Sequence, residues 1–205
     1  MADAALLTAL RARDEGAFLE VVARHQGAMV LVAMAHALDR EAAEAAVRAA
    51  WSEVIAGLDR FDGRPSLRAW ITGIAAACAR ACAARDGGAP AAVLAAAEAG
   101  APEPAVERGR FMGAGSVWAG HWSDPPRRLP PGADLGTGAG AQVAGAALAS
   151  LPPVQRAVVG LRDVEAWTAA EVCAALGIDP ALERLLLHHG RARIRSALEL
   201  HVDGR

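Results

Sequence analysis

The chain of 205 residues contains no lysine, no tyrosine and no asparagine. All 21 basic residues are therefore arginine, whereas alanine and glycine are abundant. Because the codons of the three missing residues are rich in A and T, this bias indicates a GC-rich genome rather than a functional demand. The use of arginine where lysine could stand consequently carries no argument about ligand chemistry.

Cysteine and net charge are also low. The chain has three cysteines, and Cys78 and Cys82 lie one helical turn apart in an apolar segment without a nearby His or Cys. We interpret them as buried thiols rather than metal ligands. The formal net charge of −2 leaves only a local basic surface for nucleic acid. Since we find no nucleophile–base pair and no phosphate-cradling glycine loop, the sequence predicts neither an enzyme nor a metal or cofactor site.

Long uninterrupted apolar runs are missing as well. None reaches membrane-spanning length without a charge or a glycine. The first residues also lack the pattern of a secretory signal peptide. We therefore expect a cytoplasmic protein that is not inserted in a membrane and whose thiols are reduced.

Helical periodicity extends over most of the first 86 residues. Asp39 is placed as an N-cap, with an acidic residue in the first helical turn after it. The later stretch from Asp59 to Pro65 is polar and turn-rich, which predicts a loop. We therefore expect a small helical domain over residues 1–86, with helices at Ala4–Arg13, Ala17–Leu38, Asp39–Leu58 and Leu67–Arg85.

Residues 87–145 are rich in Gly, Ala and Pro and have no sustained periodicity. This composition predicts a flexible connector. The segment Phe111–Pro131 stands out because it carries large rings, among them Trp118 and Trp122. Such rings indicate either docking on a partner or a small cluster against the chain's own helices, and both interpretations stay open.

Residues 146–205 carry the signals of a helix-turn-helix. Thr168 and Glu171 have the spacing of a capping box at the start of a short apolar helix. Gly177 is placed to end that helix, and Asp179 is placed to cap the next one. A helix, a short glycine turn and a second helix form the plan in which the second helix enters a DNA major groove. We therefore expect a small, all-helical C-terminal domain.

The second of these helices has two distinct faces. At about 100° per residue, one face is apolar and the opposite one carries a narrow basic stripe. Guanidinium groups suit phosphate oxygens and guanine edges, although a solvated arginine face on a surface helix would look the same. The capped helix-turn-helix in front of the stripe favours DNA binding. The stripe consists of Arg184, His188, Arg191 and Arg195.

Both halves of the chain resemble one family. The runs Leu151–Glu165, Thr168–Ile178 and Leu186–Arg193 closely resemble domain 4 of bacterial extracytoplasmic-function sigma factors. The run Leu58–Trp70 resembles domain 2 of the same family. Two matches in the family's order, separated by a linker, are more specific than either alone. The resemblance implies an all-α fold of two small helical domains joined by a Gly/Ala/Pro-rich linker.

The resemblance implies a division of labour between the two domains. Domain 4 would hold the −35 promoter element through the second helix of its helix-turn-helix. Domain 2 would melt the −10 element and capture a flipped base, and its third helix would bind core RNA polymerase; Trp70 could equally be a core residue. The residues implied are Glu183, Arg184, His188, Arg191 and Arg195 for the −35 element, Phe61, Arg64, Ser66, Arg68 and Trp70 for the −10 element, and Asp39, Glu44, Arg48 and Trp51 for the polymerase.

The function implied is that of an alternative sigma factor in a stress or envelope response. Its partners would be core RNA polymerase, promoter DNA and a restraining anti-sigma protein, with no small-molecule substrate. The chain departs from the family at Ala45 and Ala49, in the uncharged run Gly73–Cys78, and at His189 and Gly190. Two alternatives therefore stay open, namely a sigma-derived partner-binding protein with little promoter activity and a plain helix-turn-helix regulator.

Overall fold

The computed structural model describes residues 2–37, 39–63, 66–85, 106–126 and 138–202. Within these ranges the fold is all-α, as the sequence predicts, with no strand beyond a single bridge between Phe111 and Trp122. The helices are α1 Ala2–Arg11, α2 Glu15–Met34, α3 Arg40–Gly57, α4 Leu67–Arg85, α5 Gly138–Ser150, α6 Pro153–Val159, α7 Ala169–Leu176 and α8 Pro180–Val202. A π-helical turn, Gly160–Val164, extends α6.

The N-terminal helices begin at side-chain caps. Asp14 accepts a hydrogen bond from the Ala17 amide at 2.7 Å, and Asp39 accepts one from the Ala42 amide at 2.8 Å. The capping role expected of Asp39 is therefore confirmed. Helix α2 ends at Met34, earlier than the predicted Leu38. Burial continues past the end of the helix through residues 35–37, so apolar content alone could not mark where it stops.

Helices α1 to α4 surround one hydrophobic cluster, in which Met29, Val47 and Ile71 are almost fully buried. A second cluster is formed mainly by α6, α7 and α8 around Trp167 and Leu176. Alanine and valine supply much of both interiors, which allows the helix backbones to approach closely.

The second cluster also contains residues of the N-terminal helices. Ala28 and Val32 of α2 and Ala76 of α4 are buried together with the C-terminal helices. The two halves of the chain therefore pack directly on each other. The division into domains at residues 86 and 146 stays a prediction.

The connector is more ordered in its described part than its composition predicts. Helix α5 begins at Gly138, inside the predicted connector 87–145, and residues 106–126 form a compact loop. In this 106–126 loop the rings of Phe111 and Trp122 lie 4.3 Å apart between centroids, and Arg110 pairs with Glu199 of α8 at 2.7 Å. These specific contacts order the loop, which favours the interpretation as a cluster against the chain's own helices. Its predicted continuation to Pro131 lies outside the described residues.

Candidate nucleic-acid interface

The first helix of the helix-turn-helix, α7, begins with a complete capping box. The Thr168 amide donates to Glu171 Oε2 at 2.9 Å, and the Glu171 amide donates to Thr168 Oγ1 at 3.3 Å. Gly177 ends the helix with φ of 69°, a left-handed conformation that glycine adopts without strain. Its amide donates to the Cys173 carbonyl at 2.9 Å. The turn predicted from the sequence is confirmed.

The second helix, α8, starts at an aspartate cap. Asp179 Oδ1 accepts hydrogen bonds from the Ala181 amide at 2.7 Å and from the Leu182 amide at 2.9 Å. These two donors hold the pKa of the Asp179 carboxyl below its usual value. Because the first amides of a helix are positive, the start of α8 suits a negatively charged ligand.

The exposed face at the start of α8 carries two of the predicted stripe residues. Arg184 and His188 are both exposed, and Leu185 between them is 42% exposed. Among the described residues, no hydrogen bond or ion pair engages the Arg184 guanidinium. Arg184 is therefore available to a phosphate or a base edge.

The other half of the stripe is neutralised within the chain. Arg191 donates to both carboxylate oxygens of Asp163, at 2.9 and 2.6 Å, which raises the pKa of Arg191 further. Arg195 forms an ion pair with Glu199 at 3.1 Å, and Glu199 forms a second ion pair with Arg110 of the 106–126 loop. Charge that is already paired is less available to DNA, so the accessible positive charge lies toward the start of α8.

Glu183 does not lie at this interface. Its side chain is 1% exposed and forms an ion pair with Arg162, with 3.0 Å between Glu183 Oε1 and Arg162 Nε. In this conformation the buried carboxylate does not reach a base edge, so the contact of Glu183 with DNA stays a prediction without structural support. The sequence already indicated this burial, because a helical period of about 100° per residue places Glu183 on the apolar face with Leu186 and Gly190.

The segment between α6 and α7 holds residues that the sequence did not single out. Arg162 Nη1 donates to the Trp167 carbonyl at 2.7 Å, in addition to its pair with Glu183. Trp167 is 2% exposed. The sequence feature that could have indicated these residues is a charged pair, Arg162 and Asp163, which directly follows a run of apolar helix residues.

The predicted −10 residues divide into two groups. Phe61 and Trp70 stack with 4.7 Å between ring centroids and an interplanar angle of 24°. Phe61 is 5% exposed, whereas Trp70 is half-buried, so Trp70 presents the accessible ring. Ser66 is exposed, and its Oγ accepts weakly from the Ala69 amide at 3.3 Å. Arg64 lies outside the described residues.

Phe61 and Trp70 line a groove of about 700 Å³ between α3 and α4. We refer to it as the α3–α4 groove; its other lining residues are Glu53, Ala56, Gly57, Arg60, Asp62, Ile74, Ala77, Cys78 and Ala81. Trp70 sits directly over Gly57, where an added Cβ would be 3.0 Å from the indole ring. The groove therefore combines a flat aromatic wall with one arginine and two carboxylates.

Arg68 is not part of the groove lining. It pairs with Glu171 of α7, and its guanidinium carbon lies 4.8 Å from the centroid of the Trp167 ring. This pairing is the main reason that the pKa of Glu171 is lowered to about 2. Arg68 thus joins the N-terminal helices to the helix-turn-helix instead of facing solvent with Trp70.

The predicted polymerase-binding residues lie along α3. Glu44 pairs with Arg40 at 2.7 Å, and Arg48 is exposed. Trp51 is half-buried, donates from Nε1 to Gln26 Oε1 at 2.7 Å and makes an edge contact with a ring of α2. Asp39 is exposed and caps the helix, and its contact with the polymerase stays a prediction. A partner approaching α3 would meet Glu44, Arg48 and the outer edge of Trp51.

Two further features concern metal binding and membrane insertion in the described part of the chain. No group of three or more His, Cys, Asp or Glu side chains there is arranged to hold a metal ion. Helix α2 has the length and mean hydropathy of a membrane span, but seven of its residues are buried in the protein's interior. A core helix of a soluble protein has the same character, so this helix is weak evidence for membrane insertion.

The fold and the exposed start of α8 define a DNA-binding module of the helix-turn-helix class. Residues 142–194 match the family model of Sigma-70, region 4, a segment that runs from α5 through most of α8. The chain therefore contains a Sigma-70 region 4 domain. Domains of this family belong to transcription factors and are not an enzyme family. This domain indicates a DNA-binding role of the sigma-factor type and implies interaction with RNA polymerase and promoter DNA.

Proposed function

We propose that the chain is a sigma factor of the extracytoplasmic-function type, which directs RNA polymerase to promoters in a stress or envelope response. The observation that carries the proposal is the unpaired, exposed Arg184 at the start of the second helix of a Sigma-70 region 4 domain. The N-terminal helices, which the region 4 match does not cover, supply the −10 and polymerase contacts in this proposal.

The −35 element is assigned to the start of α8. The N-terminal residues of a recognition helix contact base edges, and arginine reads guanine through two acceptor atoms. Arg184 and His188 occupy these positions. Arg191 and Arg195 contribute to phosphate contacts only if DNA displaces Asp163 and Glu199 from them.

The −10 element is assigned to the α3–α4 groove. Capture of a flipped base requires an aromatic surface for stacking and nearby positive charge for the backbone. Trp70 supplies the surface, Phe61 supports it from behind, and Arg60 lies at the groove. Ser66 is exposed next to it at the start of α4.

Core RNA polymerase is assigned to the outer side of α3, through Glu44, Arg48 and Trp51. This assignment places the protein in the cytoplasm with the polymerase. An anti-sigma protein is the further partner that the family resemblance supports.

The test compares two arginine variants on the same helix. Arg184→Ala removes a side chain from the proposed interface, whereas Arg193→Ala removes one that is also exposed but lies about half a turn around α8. We expect Arg184→Ala to weaken binding of the reconstituted holoenzyme to its promoters roughly tenfold or more, since one base contact contributes about 1–3 kcal/mol. We expect Arg193→Ala to stay within about twofold.

The measurement is run-off transcription and DNA binding with core polymerase on genomic fragments that the wild-type holoenzyme retains. Failure of the wild-type chain to form a complex with core polymerase would reject the sigma-factor proposal. Equal effects of the two substitutions would reject the assignment of Arg184.

A second candidate function is a sigma-derived partner-binding protein without promoter melting. The observation that favours it is the internal pairing of Arg68, Arg191 and Arg195, which lowers the charge available to DNA. It predicts a stable polymerase complex in which promoter thymines stay unreactive to permanganate. Reactive thymines in the −10 region would exclude this candidate.

A further inference from the structure

A cavity of about 780 Å³ lies between the 106–126 loop and the C-terminal helices. It is lined by this loop, by α5, by the end of α6 with its π-helical turn, and by α8. Sites for small molecules have volumes of about 300–1,000 Å³ and mostly apolar walls with a few polar groups. We call this space the α5–α8 cavity. Its apolar lining includes Val106, Trp122, Leu148, Val164, Ile194 and Leu198.

Large apolar side chains at the cavity remain open to solvent. Trp122 of the loop is 40% exposed, and Val164 is 68% exposed. Val164 lies in the π-helical turn Gly160–Val164, and such turns occur frequently at functional sites. Exposed apolar surface that borders a cavity and is rimmed by polar residues is typical of a binding site. The walls of the cavity therefore suit the hydrocarbon part of a ligand.

The charged groups of the cavity lie on one side, along α8 and the π-helical turn. Two arginines, Arg191 and Arg195, stand there against one carboxylate, Asp163. His188 of the same helix also contributes to the lining. Among the described lining residues, positive charge thus exceeds negative charge by one even when His188 is neutral. This excess favours a ligand that carries a single negative charge.

Arg195 is the arginine best placed to accept that charge. Its Nε lies 3.1 Å from Glu199, and Glu199 also pairs with Arg110 at 2.7 Å, so one carboxylate is shared by two guanidinium groups. Arg110 lies a further 3.6 Å from the exposed Asp124. The Arg195 side chain is 55% exposed, whereas that of Glu199 is 9% exposed. A carboxylate that enters the cavity from solvent therefore meets Arg195 before it meets Glu199, and hydrogen bonds between two charged groups are the strong ones.

We infer that the α5–α8 cavity is a binding site for a small amphipathic carboxylate. The hydrocarbon part of the ligand lies between the 106–126 loop and α5, and its carboxylate pairs with Arg195 at the side formed by α8. A free fatty acid is the simplest molecule of this chemistry. Binding at this site is a property of the chain itself and does not depend on the sigma-factor proposal.

A regulatory consequence follows, and it rests on the proposed function. His188, Arg191 and Arg195 line the cavity and are also three of the four residues of the basic stripe. A ligand carboxylate at Arg195 competes with DNA phosphates for the same guanidinium group, while Arg184 stays outside the cavity. Because each neutralised phosphate contributes to affinity, the ligand should weaken promoter binding about three- to tenfold without abolishing it.

The first test is isothermal titration calorimetry of the full-length protein with three probes that share one hydrocarbon chain. They are dodecanoate, the uncharged dodecanol and the cationic dodecyltrimethylammonium. We expect dodecanoate to bind at one site per chain, dodecanol to bind at least about fivefold more weakly, and the cation to bind most weakly. Equal binding of the three probes, or no binding of dodecanoate, would overturn the inference. A chain that is dimeric by light scattering and binds no dodecanoate would show that a second copy occupies the cavity instead.

Two substitutions, each with a matched control, locate the site. An added Cβ at Gly145, which lines the cavity, meets no atom within 4 Å, so Gly145→Leu narrows the cavity without a backbone clash. Gly73→Leu is its control, since Gly73 of α4 is equally uncrowded and lies outside the cavity. Arg195→Gln removes the partner of the carboxylate, and Arg193→Gln removes a charge of the same helix that is not among the described lining residues.

We expect Gly145→Leu to weaken binding of dodecanoate and dodecanol alike, by about fivefold or more. Arg195→Gln should weaken dodecanoate by a similar factor and leave dodecanol unchanged, and both controls should match the wild type. Circular dichroism verifies that the helix content of each variant is unchanged. An equal effect of Arg195→Gln on both probes would contradict the assignment of the carboxylate to Arg195.

The regulatory consequence is tested by promoter binding of the holoenzyme with and without dodecanoate. We expect weaker binding with the wild-type chain, no effect of dodecanol at the same concentration, and little effect of dodecanoate on the Gly145→Leu holoenzyme. Unchanged promoter binding with the site saturated would overturn the regulatory consequence. Failure of the proposed function is distinguishable, because the chain would then form no complex with core polymerase while the calorimetric result stands.

Discussion

Adjacent residues on α8 have opposite environments. Glu183 is 1% exposed and pairs with Arg162, whereas Arg184 is exposed and has no ion-pair partner among the described residues. Arg162 connects the turn before α7 to the first turn of α8. The Glu183–Arg162 pair therefore fixes the orientation of the helix that presents Arg184.

Glu183→Gln should destabilise the protein by about 2 kcal/mol. Breaking one partner of a buried ion pair costs about 3–5 kcal/mol, and the partial exposure of Arg162 reduces this value. Urea unfolding followed by circular dichroism measures the change. Glu44→Gln is the control, since its surface pair with Arg40 should contribute less than about 1 kcal/mol. If Glu183→Gln kept full stability but changed −35 sequence preference, Glu183 would belong to the DNA interface after all.

At the scale of elements, the close approach of α8 to α6 depends on Gly190. As a departure from the family pattern, this glycine would be expected to weaken α8 by about 1 kcal/mol relative to alanine. In the structure an added Cβ would lie 2.5 Å from Val159 Cγ2, which is too close for any real contact. Gly190 therefore permits the packing of the recognition helix on the C-terminal core.

Gly190→Ala should consequently destabilise the protein by about 1 kcal/mol. The clash with a valine, whose side chain is stiff in a helix, costs about 1–3 kcal/mol, and the better helix propensity of alanine offsets about 1 kcal/mol of it. Thermal unfolding checks the sign. In a Val159→Ala background the clash is absent, so there Gly190→Ala should raise the melting temperature. A lower melting temperature in both backgrounds would contradict this explanation.

At the scale of the whole molecule, one buried histidine lies where the two halves meet. His36 follows the end of α2, is 1% exposed and lies near Arg80 of α4 and the Ala175 carbonyl of α7. Burial and, to a smaller degree, the charge of Arg80 lower the pKa of His36 to about 4, and the Ala175 carbonyl opposes both effects. The folded protein therefore holds His36 in its neutral form.

The packed structure should lose stability as pH falls from about 6.5 to about 4. The unfolded chain binds a proton on His36 near pH 6.5, whereas the folded chain resists protonation until about pH 4, so acid favours unfolding by up to about 3 kcal/mol. Urea midpoints measured across this pH range test the effect. His36→Gln should remove most of the pH dependence, and His201→Gln, at the exposed end of α8, should not. A wild-type midpoint that is constant over this range would contradict the burial of a neutral histidine.

The Glu171 carboxyl gives a pH dependence of the same sign as His36, with stability lost as pH falls, but over a lower pH range. Its pKa is lowered to about 2, chiefly by the hydrogen bond from Arg68. The stability that this pairing contributes is present above the ordinary pKa of about 4.5 and is lost as pH falls toward 2. The two pH ranges meet only near pH 4 to 4.5, so the contributions of His36 and of the Arg68–Glu171 pair can be measured separately.

The local order of this protein was determined by its sequence. The Asp39 cap, the capping box of Thr168 and Glu171, and the glycine turn at Gly177 all form as predicted. Each depends on residues within one helical turn of each other, so neighbours in the chain are sufficient to specify it. The all-α class and the position of the helix-turn-helix follow from the same short-range signals.

The tertiary structure decided which of the predicted contact residues are accessible. Arg68 and Glu171 are 103 residues apart in the chain, and Arg110 and Glu199 are 89 apart. Periodicity places a side chain on a face of its helix but does not say which other helix covers that face. Packing between distant segments therefore decides three features that no local pattern specifies. These are the pairing of half the basic stripe, the burial of Glu183 and the contact between the two halves of the chain.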